Sequence, residues 1–150
     1  MAIFENILSR SIDRDRLASL MQMPLMFLRE DIRSVVPSLS MTNEGPVLTK
    51  IFLLTASFIC ELDISDIGAS SFDFMDFRRV ENIRIASGTT IVDDGSETIT
   101  SYKTARVTLR HTQSLSSNIE FVGEERDEWL KEMFAVFPAS LVLQAQVAPQ

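Results

Sequence analysis

From Val47 to Val122, one segment after another places apolar residues at every second position. A period of two commits this stretch to β-sheet, because alternate side chains of an extended strand point to opposite faces. Phe52, Leu54, Ala56, Phe58, Cys60, Leu62 and Ile64 share one parity, opposite Thr55, Ser57, Glu61 and Asp63. That run exceeds an ordinary strand of about 5–6 residues, so it divides at Thr55-Ala56-Ser57, by a tight turn or a bend. The next break is Gly68 to Ser71, and alternation resumes through Phe72-Asp73-Phe74-Met75-Asp76-Phe77 and Ile83-Arg84-Ile85. Asp93-Asp94-Gly95 is a hairpin turn, since glycine tolerates positive φ and aspartate can bond its own backbone. Thr98 to Tyr102, Arg106 to Arg110 and Asn118 to Val122 supply the remaining strands.

Helical periods flank this region. Residues 1–37 read as a helical arm: Ile3, Phe4, Ile7 and Leu8 form a short stripe, and Ser11 or Asp13 can cap a second helix. Leu17, Leu20, Met21, Pro24, Leu25, Leu28, Ile32 and Val35 then recur at steps of three and four. Pro24 is expected to kink this helix and Pro37 to end it. Met23, Met26 and Phe27 widen the apolar face beyond what one packing surface needs, which leaves them for a partner or a second copy of the chain. Residues 38–46 carry turn chemistry without a period and mark the boundary with the sheet. At the other end, Glu124-Glu125-Arg126-Asp127-Glu128 opens a helix with acids suited to its N-terminus. Trp129, Leu130, Met133, Phe134 and Phe137 fall on one face, Pro138 closes it, and residues 139–150 read as a tail.

A chain of 150 residues, 45% of them hydrophobic, matches one domain with one core. A single cysteine permits no internal bridge. The net charge of −7 opposes nonspecific attraction to nucleic acid or an anionic membrane. Met1-Ala2-Ile3-Phe4-Glu5 lacks the basic start of a secretory signal. The apolar stretch Leu17 to Leu28 falls short of the roughly 20 residues of a spanning helix. Cytoplasmic placement is the expectation.

Antiparallel strands followed by one Trp-bearing amphipathic helix resemble a pleckstrin-homology-like domain of the bacterial or GRAM type. Leu48-Thr49-Lys50-Ile51-Phe52-Leu53-Leu54-Thr55 resembles its opening strand, Phe72 to Glu81 the strand leading into "I-x-x-V", and Phe121 to Phe137 its closing helix. The resemblance covers residues 47–138. It implies a mainly β, α+β fold: a seven-stranded, bent antiparallel barrel plugged at one end by the helix, with the N-terminal arm added and packed on it.

Lipid headgroup binding by a basic first loop is what that family implies, and here the corresponding Thr55-Ala56-Ser57 holds no base. Six basic residues from Arg78 to Arg110, against four acidic, do make a locally positive segment. Within it Arg84, Lys103, Arg106 and Arg110 are the candidate anion-binding residues, weighed against a solvated strand face whose charges discourage edge pairing. Nucleic acid is not expected, because interleaved aromatics are missing. His111 is the only histidine, so any Ser-His-acid relay must use it; a solvent-exposed strand-end residue is the alternative. Cys60 lies in the apolar parity and reads as core. Asp63, Asp66, Asp73 and Asp76 do not follow calcium-loop spacing, one histidine and one cysteine cannot make the usual zinc sets, and Gly88-Thr89-Thr90 lacks the lysine of a phosphate loop. No cofactor, metal or catalytic centre is expected. The leading reading is a non-enzymatic protein-interaction or self-association module, with weak binding of an anionic headgroup or phosphate, or a small enzyme around His111, as alternatives.

Overall fold

The computed structural model describes residues 14–43, 45–64, 71–93, 95, 99–112, 116–138 and 145–148. Helix α1 (Arg14–Phe27) precedes seven strands: β1 (Ser34–Thr42), β2 (Gly45–Leu54), β3 (Phe58–Asp63), β4 (Ser71–Asp76), β5 (Val80–Asp93), β6 (Ile99–His111) and β7 (Ser116–Val122). Helix α2 (Arg126–Val136) and a short strand β8 (Ala145–Ala148) follow. The stripe Ile3 to Leu8 and the cap at Ser11 or Asp13 lie outside the described residues.

The protein is mainly β, as expected, but the strands form two four-stranded sheets and not one bent sheet closed into a barrel. The orders are β1-β2-β3-β4 and β7-β6-β5-β8. Every pair is antiparallel except β5 with β8. Edge strands β1 and β7 pack together, and the Glu120 N–H donates to the Ser38 hydroxyl across that seam at 2.9 Å. Ser38 is buried there, so its hydroxyl satisfies an edge amide that would otherwise lack a partner.

Three local expectations change. The helix ends at Phe27, and residues 34–42, read as helix and turn, are strand β1, paired with β2 from Ser34↔Leu54 to Thr42↔Gly45. Pro37 fits because β1 is an edge strand, where a missing N–H can face away from the ladder. The first hairpin therefore closes at the pair Thr42↔Gly45, and Thr55-Ala56-Ser57 is the second turn. That second turn is tight: the Phe58 N–H donates to the Thr55 hydroxyl at 3.0 Å, and the Thr55 N–H to the Phe58 carbonyl at 2.9 Å. Last, the expected tail contains β8, which pairs with β5 at Ile83↔Ala145 through Ala86↔Ala148.

At the end of β5, Asp93 and Gly95 make the contact that their turn chemistry predicts. Gly95 takes φ 84° and its N–H donates to the Asp93 carboxylate at 3.0 Å.

Ile51, Phe52, Leu53 and Leu54 are all fully buried. Consecutive burial means that both faces of β2 are covered, which the sequence registers as a broken alternation. One face, with Val36, Phe52 and Leu54 in register, turns toward the second sheet. The other carries Leu53, Cys60, Leu62, Phe72 and Phe74, and Phe72 meets Phe27 of α1. The second sheet contributes Ala105, Val107, Leu109, Ile119 and Phe121, and α2 with its C-cap Phe137 adds Trp129, Met133 and Phe137 at four-residue steps, all buried. Gly123, at φ 123°, makes the corner between β7 and α2 and donates to the Lys103 carbonyl at 2.8 Å.

Candidate functional site

Several exposed apolar side chains lie together at the end of α1. Pro24 is buried and Leu20 and Met21 pack against the core, so the helix spends only part of its apolar circumference on packing. Met23, Met26 and Phe27 are 59%, 75% and 60% exposed. They continue onto the sheet: the Phe27 and Phe72 rings lie 6.2 Å apart, and Phe72 meets Phe74 edge to face at 5.6 Å. Phe27, Leu28, Arg29, Glu30, Phe58 and Phe74 line a cleft of about 220 Å³. Glu30 holds its floor, accepting from Thr55 Oγ1 at 3.2 Å and Ser57 Oγ at 3.0 Å. The sequence pointed to Met23, Met26 and Phe27 but not to Phe58 and Phe74. Their parity marked them as core, and only the shortness of β3 and β4 leaves them half open.

The basic residues divide. Pairing of Ala86 with Arg106, Arg84 with Thr108 and Asn82 with Arg110 sets Arg84, Arg106 and Arg110 on one face of the second sheet. Arg106 is bridged to Glu120 at 2.7 Å, and all three side chains are exposed. Arg84 and Arg110 have no ion pair among the described residues. Lys103 has the opposite parity and sits 3.8 Å from Glu124, so it does not join this face. A second cleft of about 330 Å³ runs beside the arginines, lined by Met41, Ala86, Gly88, Thr90, Arg106 and Glu120 among others.

His111 is not at a solvent-exposed strand end. It shares the parity of Ala105, Val107 and Leu109 and is 8% exposed. Neither ring nitrogen has a hydrogen-bond partner among the described residues. Burial depresses its pKa from the ordinary value, with the Glu61 carboxylate pulling weakly the other way. A relay histidine must be bonded to a nucleophile and an orienting acid, and the described residues offer His111 neither bond. Cys60 is buried as expected, and burial, with Asp73 and Glu61 adding, pushes its thiol up to about 11. Of the four aspartates, Asp76 accepts from the Arg78 backbone at 2.8 Å and bridges its guanidinium at 2.6 Å, which holds its carboxyl below the usual range. Asp66 lies outside the described residues, among which no group of three or more His, Cys, Asp or Glu is placed to hold a metal ion. No described helix is long and apolar enough to cross a membrane.

Comparison of the chain with protein-family models, curated proteins and solved structures found no match.

Proposed function

We propose that the protein is a non-enzymatic, cytoplasmic interaction module of pleckstrin-homology-like type, which engages a protein partner or a second copy through the apolar surface of α1 and the adjoining sheet edge. The observation that carries this reading is the continuity of exposed Met23, Met26 and Phe27 with Phe58 and Phe74. A monomer that leaves so many large apolar side chains together in water incurs a solubility penalty that a partner would remove. The consecutive antiparallel pairing of β1 to β4 and of β5 to β7, followed by the buried Trp129 helix, supports the family resemblance. Sedimentation over a range of concentrations, with capture from the native host, tests the reading against a Met26→Ser/Phe27→Ser bait. Self-association, or capture of a defined protein, is expected for the wild type and should fall roughly tenfold or more in the double variant, as loss of two apolar anchors would require. Equal behaviour of the two baits overturns it.

A second reading is favoured by one observation, that Arg84 and Arg110 beside Arg106 have no ion pair among the described residues. Such a face can attract a phosphate or anionic headgroup despite the acidic chain. Cosedimentation with vesicles containing phosphatidylserine is expected to drop in Arg84→Glu/Arg110→Glu and to weaken with salt. Unchanged cosedimentation removes this reading.

A further inference from the structure

We infer that the free edge of β4 is a docking strand for an extended segment of another protein whose side chains alternate between bulky apolar and basic. This rests on the interaction-module reading and names the partner's chemistry. β4 ends its sheet and pairs only with β3 among the described residues. In an antiparallel ladder every second residue of such an edge directs its N–H and C=O outward, which is a template for one more strand.

The two faces of that edge differ, and an added strand would read both. Register with Cys60 and Leu62 puts Phe74 and Phe72 on the α1 side, continuing to Phe27. Bulky side chains at alternate positions of an incoming strand would cover Phe74, which is 41% exposed. On the opposite face Asp73 pairs with Glu61 and lies diagonal to Asp63. Glu61 is neutralised by Lys50 at 2.8 Å, whereas Asp73 is exposed with no ion pair among the described residues. Lysine or arginine at the intervening positions of the partner would supply the missing charge. A second copy is the poorer occupant. Antiparallel pairing of β4 with itself brings two Asp73 carboxylates into one short ladder, and like charges across strands repel.

Amide-resolved NMR titration of the whole chain tests this with three capped hexapeptides: Lys-Val-Lys-Val-Lys-Val, the block-ordered Lys-Lys-Lys-Val-Val-Val, and Glu-Val-Glu-Val-Glu-Val. The alternating basic peptide is expected to shift the Ser71–Asp76 amides and slow exchange at alternate ones, with roughly tenfold tighter binding than either control. Asp73→Lys, a change at an exposed site, should reverse the preference toward the acidic peptide. Equal binding of all three, or no response in β4, overturns the proposal. Concentration-dependent shifts in β4 without peptide would name a second copy as the occupant and overturn it as well. Shifts confined to Met26 and Phe27 would remove the edge proposal yet leave the interaction-module reading standing.

Discussion

Trp129→Ala is expected to lower the unfolding free energy by about 3–5 kcal/mol, the range for truncating a large buried aromatic. Trp129 is 4% exposed and forms, with Met133 and Phe137, the stripe by which α2 joins the core. Phe137 in turn stacks near Phe77 at 5.3 Å and Phe134 at 5.2 Å, so the stripe ties the short helical turn after β4 to the closing helix. Deleting the indole leaves a void between the sheets and α2, and a helix of 11 residues is not stable by itself. Urea unfolding followed by far-ultraviolet circular dichroism measures the loss. Phe27→Ala, at a side chain mostly in water, serves as the comparison and should change stability by within about 0.5 kcal/mol. A Trp129→Ala cost below about 1 kcal/mol would mean that α2 does not close the core.

His111→Leu is expected to stabilise the protein, by about 1–3 kcal/mol, because it removes two buried ring nitrogens that have no partner among the described residues while keeping similar volume. The sign of its pH dependence follows from burial. The folded pKa lies below the ordinary value, so as pH falls through about 6.5 the unfolded chain takes up a proton before the folded one does. Stability associated with neutral His111 is complete above that pH and declines below it, down to the folded pKa. The leucine variant should lose this component of acid sensitivity, leaving that of the carboxylates. Chemical unfolding of both chains at pH 7.5 and pH 5.5 checks it: the gap between variant and wild type must widen at the lower pH. A constant gap, or a destabilised variant, would show that the imidazole has partners in solution.

His111 also illustrates what could be read in advance. Counting by two from Ala105 puts position 111 on the buried parity, a signal that a polar residue type at a strand end obscured. The reverse error affected Phe58 and Phe74. Parity assigned them to the core, but the third and fourth strands are six residues each and α1 covers them only in part. For the basic cluster, even spacing along one strand puts Arg106 and Arg110 on one face. Adding Arg84 and dropping Lys103 required the register between β5 and β6.

Residues 34–42 mark the limit of local reading. Ser34-Val35-Val36-Pro37 continues a helical count, and Pro37 with the following serines resembles a stop. What makes them a strand is β2, whose Phe52 and Leu54 lie opposite Val36 and Ser34 and have both faces to bury. The sequence by itself determined the alternation of strands β2 to β7, the Asp93–Gly95 contact and the buried stripe of the Trp129 helix, because periodicity and turn chemistry act over a few neighbouring residues. Tertiary structure alone decided that β1 exists, that the strands split into two sheets joined at Ser38 and Glu120, and which apolar groups stay in water. Those outcomes depend on pairing and coverage between residues far apart in the chain, where a local preference worth a few tenths of a kcal/mol yields to burial worth about 1.5–3 kcal/mol per large side chain.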